Sequence, residues 1–325
     1  MEDTQFYGQG PSAGEVIVDG MASFIASFMQ WAMMAPAYRV TVLTAVEGEL
    51  VREGRLPPTG FGGIYNCVKR LYKKEGIRSF FRGFLADVLL AAPSALTEKI
   101  TSSLVTEVLA LLPTEFLQTM PPLMYVTISL VSTSTAVLLA TPVTGLHNTI
   151  VTNYVGDIMA PVEGEKNKNN GKEKDNSKEE EEENEEEEES YKYRSPTEAA
   201  KDIHKRWGFR GFYRAFGLDS MAVFLYRGTY YYALHMLPVA IHEKYPFGVA
   251  RSLAIVAGCI TQPFEVVSRR MQLTASSKTN RYRNMIDCAR TIVKEEGYTA
   301  LWSGLRARLL VTCVGMAFVE LRRLF

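Results

Sequence analysis

Long stretches in which apolar residues predominate recur six times along the chain, near 16–44, 84–112, 120–153, 215–243, 246–274 and 304–325. Each is long enough to cross a bilayer, which takes about 20 mainly apolar residues. None is uniformly apolar, because Ser, Thr, Gly, Pro or an occasional charge interrupts every one. Helices with one apolar and one polar face predict a bundle around a water-filled cavity. A soluble all-helical protein with buried amphipathic helices is the alternative that hydropathy alone leaves open.

Between these stretches a second pattern repeats. Ile64 to Glu75, Pro196 to Trp207 and Met285 to Glu296 each read as a short amphipathic helix. Gly76, Gly208 and Gly297 follow them, where a left-handed residue closes a helix. An aromatic-rich turn comes next: Phe80-Phe81-Arg82-Gly83, Phe212-Tyr213-Arg214 and Leu301-Trp302-Ser303-Gly304. In the middle copy Ser195, Pro196 and Glu198 predict a capping box with proline in the first turn. Cys67 and Cys288 occupy the same place in their copies, which argues for repetition rather than thiol chemistry. Upstream of each short helix lies a hydrophobic helix with an internal proline, Pro36, Pro142 or Pro263, expected to kink it. The unit is therefore helix, surface helix, helix, three times over: repeat 1 at 1–113, repeat 2 at 114–243 and repeat 3 at 244–325. The predicted fold is an all-α membrane protein of six transmembrane helices in three pseudo-threefold repeats.

Composition adjusts this picture in one respect. The net charge of zero hides a segregation. Pro161 to Ser190 holds fourteen acidic residues and five lysines, a local balance of −9, while the rest carries 22 acidic and 31 basic residues, a balance of +9. A basic body suits contact with anionic lipid head groups or anionic solutes. The segment 161–191 reads as a disordered acidic insert, because such runs bury too little apolar surface to fold. A docking arm for a basic partner is the sharper alternative. The four cysteines form no CxxC pair or zinc spacing, so neither a disulfide framework nor a metal site is expected. The N-terminal residues read as neither a signal nor a transit peptide. No nucleophile–base pairing or phosphate loop stands out, so an enzyme is not expected, nor is a nucleic-acid partner.

With the three prolines, the acidic-Gly turns and the aromatic-basic-Gly motifs in place, the chain resembles the mitochondrial carrier family. Ser268-Arg269-Arg270-Met271-Gln272 and Leu225-Tyr226-Arg227-Gly228 are similar to the ADP/ATP carrier group within it. The resemblance implies surface helices on the matrix side of the mitochondrial inner membrane. It also implies charged pairs two and five residues beyond each kinked proline. Most are missing here: Tyr38 and Thr41, Thr144 and His147, and Ser268 stand at those positions, and Glu265 is the one carboxylate left. Position alone suggests His147 or Arg39 as its neighbour. The resemblance places substrate-binding residues at Tyr226, Arg227, Arg269 and Arg270. It puts Trp31, Leu90 and Thr312 where other cations are expected, with Arg308 one turn before Thr312.

Two functions follow. The first is a carrier-fold protein that no longer transports and serves as a structural or accessory subunit of an inner-membrane respiratory complex. The alternative is an active, atypical carrier exchanging nucleotides or another anionic metabolite. Membrane lipid is the expected partner in both cases. No cofactor is expected. Arg306, Arg308, Arg322 and Arg323 are candidates for bound cardiolipin, though charges flanking a membrane helix commonly have a plainer role.

Overall fold

The computed structural model describes residue 28 and residues 32–110, 122–156, 193–276 and 282–313. The acidic insert, the N-terminal part of the first predicted helix and the chain end from 314 lie outside the described residues. Helix α1 covers 32–45 and a short α2 runs Glu47–Arg52. Surface helix α3 (Ile64–Glu75) and long helix α4 (Phe84–Ala110) complete the first repeat. The second holds α5 (Pro122–Gly156), α6 (Pro196–Trp207) and α7 (Phe216–Met236). A short α8 (Val239–Lys244) leads to α9 (Pro246–Leu273), α10 (Met285–Glu296) and α11 over 305–313. Among the described residues, α4, α5, α7 and α9 are the long helices, and α1 and α11 are the described parts of the first and last predicted spans. Among the described residues two stretches, Val126–Gly156 in α5 and Phe247–Ser276 from α9 onward, are long and apolar enough to cross a bilayer by length and composition alone. α9 packs most closely on α7, and α4 on α5.

The repeats are visible in what is buried. Eight residues before the end of each surface helix stand Cys67, Ala199 and Cys288, all at 0% exposure. One turn later Leu71, Ile203 and Ile292 are equally enclosed. Each anchors a separate apolar cluster. Cys67 and Leu71 join Leu43, Leu50 and Phe61, Ile203 joins Ile150 and Phe212, and Cys288 and Ile292 join Val267 and Met271. Burying one such side chain contributes about 1.5–3 kcal/mol, enough to fix each surface helix across the end of the bundle.

The helix ends follow the sequence. Ser195 caps α6 by accepting from the Glu198 N–H at 3.2 Å, and Glu198 reaches back to the N–H of Arg194. Asn284 and Asp287 repeat the arrangement at α10, where Asp287 accepts from the N–H of Arg283. Gly76, Gly208 and Gly297 all close their helices at positive φ. Pro142 and Pro263 lie inside α5 and α9. Pro36 lies inside α1. Leu237 turns extended before Pro238 and ends α7.

Charge ties the repeats together at this end. Arg52 reaches Glu49, Glu295 and Glu296 at 2.6–2.9 Å, and Arg270 grips Glu296 with both terminal nitrogens. Tyr282 donates to Glu49. These contacts join the first repeat to the third. Asn153 donates to the Gln272 carbonyl at 2.7 Å and joins the second to the third. Arg82 donates to the Tyr193 carbonyl at 2.9 Å and lies over the Tyr154 ring, joining the first to the second.

Candidate functional site

A cavity of about 940 Å³ runs between α5, α7, α9 and α11, from Phe247 and Tyr230 at one end to Arg269 and Glu265 at the other. This is at the upper end of the range for small-molecule sites. Arg227, Arg251, Arg269 and Arg308 line it, with Asp219 and Glu265. Four arginines against two carboxylates leave two positive charges in excess. Tyr226, Tyr230 and Tyr231 supply aromatic wall. A smaller space of about 320 Å³ continues past Glu265, Arg269 and Arg308 to Tyr38, Thr41 and Thr312.

Of the residues expected from sequence to contact substrate, Tyr226, Arg227 and Arg269 reach the cavity. Arg270 does not. Successive helical residues point about 100° apart, so Arg269 faces the lumen while Arg270 turns outward to Glu296. Arg251 and Arg308 were not expected as lumen cations. For Arg308 the signal was present, as a basic residue one turn before a position where a cation was anticipated.

The expected neighbours of Glu265 are also corrected. Its carboxylate is held by Arg308, with Nη1 at 2.8 Å from both oxygens, and the same nitrogen donates to Gln262 at 3.1 Å. Arg39 instead pairs with Glu75 at 2.6 Å and donates to the Ser79 carbonyl. From one turn beyond Pro36 it turns toward its own surface helix. His147 lies 2.7 Å from Asp87.

These contacts obey one rule. Asp87, Asp219 and Arg308 are each four residues beyond Gly83, Ala215 and Gly304, the last residues of the three equivalent turns. Each backbone N–H bonds the carbonyl of that turn residue, at 2.7, 3.0 and 3.0 Å. They occupy one position on α4, α7 and α11. Their partners come from the proline-containing helices. Asp87 takes His147, five residues beyond Pro142, and Asp219 takes Ser268, five beyond Pro263. Asp219 also accepts from the Gln272 amide at 2.8 Å. The third member departs from the pattern, because Arg308 turns to Glu265, two residues beyond Pro263. Charge expected on α1, α5 and α9 has thus moved largely onto α4, α7 and α11. Below the lumen Arg269 donates to Thr152 at 3.0 Å, and Thr152 donates to Gln272 at 3.2 Å. Thr149, Thr152, Asn153 and Gln272 are buried, so this end of the cavity is packed with polar groups that bond one another, the Asn153 Oδ1 excepted.

Comparison of the sequence with known proteins decides the family. The family model described as mitochondrial carrier protein matches residues 12–110 and 248–319. The chain belongs to the mitochondrial carrier family. The "ADP,ATP carrier protein ER-ANT1" of Arabidopsis thaliana is 25% identical over 312 residues, covering 93% of this chain and 90% of that protein. "ADP/ATP translocase 3" of Bos taurus is 25% identical over 309 residues, covering 93% of each. The human protein of the same name is 26% identical over the same length. The chain has the three prolines and surface helices, and lacks charge at most of the positions two and five residues beyond the prolines.

Proposed function

We propose that this protein is a mitochondrial inner-membrane carrier that binds and exchanges a multiply charged anion in the arginine-lined cavity. The observation that carries this is the convergence of Arg227, Arg251, Arg269 and Arg308 on one lumen. Guanidinium groups suit phosphate and carboxylate because they donate in a planar fork and stay charged. Arg251 and Arg308 supply cations that the chain lacks at Leu90 and Thr312. Adenine nucleotides head the candidates, since the relatives are named for ADP and ATP and tyrosines flank the cations. The test is uptake by liposomes containing the purified full chain, preloaded in turn with nucleotides, phosphate and dicarboxylates. Saturable exchange of one of these classes is expected. Absence of exchange and of ligand-induced stabilisation in folded protein would overturn the proposal.

A second reading is a transport-degenerate accessory subunit of an inner-membrane complex. It is favoured by the floor of the lumen, where uncharged donors, Ser268 and Gln272 on the Asp219 carboxyl group and Asn153 on the Gln272 carbonyl, stand in place of basic residues in separable charged pairs. Native migration after mild detergent extraction separates the two. Salt-resistant comigration with a large assembly supports the subunit reading, and a free carrier-sized species counts against it. Fractionation tests the compartment, since one relative carries ER in its name.

A further inference from the structure

The three equivalent positions on α4, α7 and α11 make chemically unequal contacts. Arg308 with Glu265 joins a guanidinium to a carboxylate, and Asp219 with Ser268 joins a carboxyl group to a hydroxyl. Asp87 with His147 alone joins a carboxylate to an imidazole, 2.7 Å apart, and imidazole is the side-chain type whose charge can change in the physiological pH range. The pair spans from α4 of the first repeat to α5 of the second. His147 is mostly buried, with a side-chain exposure of 14%. The titratable and charged groups around the pair are Tyr38 from α1, Arg269 and Glu265 from α9 and Asp219 from α7, all within electrostatic range of one another and the first two within range of Asp87. Tyr213, from the turn after α6, packs beside Gly145 on the same helix.

We infer that the Asp87–His147 contact is a proton-sensitive latch on the closed end of the cavity, strengthened when the imidazole is protonated and weakened when it is neutral. In the protonated form an imidazolium faces a carboxylate, and α4 is held to α5 by a charge-assisted hydrogen bond. In the neutral form the hydrogen bond remains, and the Coulombic attraction is lost. A contact that is stronger in one protonation state biases any two-state element it spans. Acid therefore keeps this end closed, and alkali eases the separation of α4 from α5. As a gate, the latch rests on the carrier reading above. As a pH-dependent tie between two helices, it stands without it.

The test uses the full chain with His147→Gln, which keeps a donor and cannot titrate, His147→Arg, which is always charged, and Asp87→Asn. Thermal stability in detergent and exchange in liposomes are measured from pH 5.5 to 8.5. Wild-type stability relative to His147→Gln is expected to rise as the pH falls, and the difference is expected to vanish in an Asp87→Asn background. Exchange is expected to be slower at acid pH by about threefold or more in wild type, as one proton biasing a two-state element allows. It should be flat in His147→Gln and flat and slow in His147→Arg. If no protein exchanges any anion but the stability pattern holds, the transport reading falls and the latch stands. If His147→Gln keeps the wild-type pH dependence of stability, the latch is overturned, whatever the exchange assay gives.

Discussion

Arg270 and Glu296 meet through both guanidinium nitrogens, although 26 residues separate them and the arginine side chain has no solvent exposure. Arg270 belongs to a long helix and Glu296 is the last residue of a surface helix, so the pair fixes α10 beneath α9. Arg52 approaches the same carboxylate from the first repeat at 2.9 Å. One acidic residue thus neutralises cations from two repeats.

Glu296→Gln should therefore be costly. It leaves Arg270 buried with no full countercharge, and removing one partner of a buried pair typically costs about 3–5 kcal/mol. Thermal unfolding of the purified protein is the measurement. Arg270→Lys should lose part of that stability, because an ammonium cannot span both oxygens. A Glu296→Gln protein as stable as wild type would count against the pair as a support.

Gly48 tests the same joint by crowding. A Cβ on Gly48 would collide with the Glu296 carboxylate. That carboxylate cannot withdraw freely, because Arg52 and Arg270 hold it. Gly48→Ala should lower stability by about 1–3 kcal/mol, the usual range for overpacking. Glu296→Asp in the same chain shortens the intruding side chain and should recover part of the crowding loss relative to Glu296→Asp alone.

Arg251 probes the lumen apart from the frame. It is exposed, stands one turn from Phe247 and lies 5.2 Å from that ring. Arg251→Gln should leave unfolding within about 0.5 kcal/mol of wild type. It should weaken anion binding about tenfold, the cost of one charge-assisted contact. Titration of a nucleotide at two salt concentrations reads both effects, and the variant should show the shallower salt dependence.

The buried thiols predict a loss of stability in alkali. Burial pushes both Cys67 and Cys288 up to about 12. An unfolded thiol gives up its proton near about 8.5, so between these values the folded chain binds more protons and stability falls as the pH rises. Tyr193 and Tyr282 are raised as well, mainly by burial, and act in the same direction. Unfolding temperatures should therefore drop above about pH 9. The drop should be smaller, though still present, in a Cys67→Ala, Cys288→Ala protein. Equal slopes would remove the thiols from the explanation.

The repeated frame was legible because it is local. A glycine that must adopt positive φ, a capping serine and a buried residue eight places before a helix end all leave marks within a dozen residues. The lumen was less legible because it depends on pairs far apart in sequence. Glu265 and Arg308 are 43 residues apart, and Asp87 and His147 are 60 apart. The sequence indicated that Glu265 needed a cation and offered Arg39 or His147. It could not show that those two turn to Glu75 and Asp87. The shared position of Asp87, Asp219 and Arg308 emerges only when the three turns are superposed at Gly83, Ala215 and Gly304. Charge type differs among the three, so a search for repeated residue identity passes over it.

The contacts of Arg52 and Arg270 with Glu296 also bear on the topology of the chain. They close a circle whose first and last sectors are not joined by backbone. A protease cut anywhere in 157–192 would sever the polypeptide midway through the second sector. The severed pieces would still meet along two fronts: the charged seam between first and third sectors, and the packing of α5 against α7 and α9. Holding the ring together is thus a task of side-chain contacts between the sectors, and the two halves are expected to copurify after a cut there.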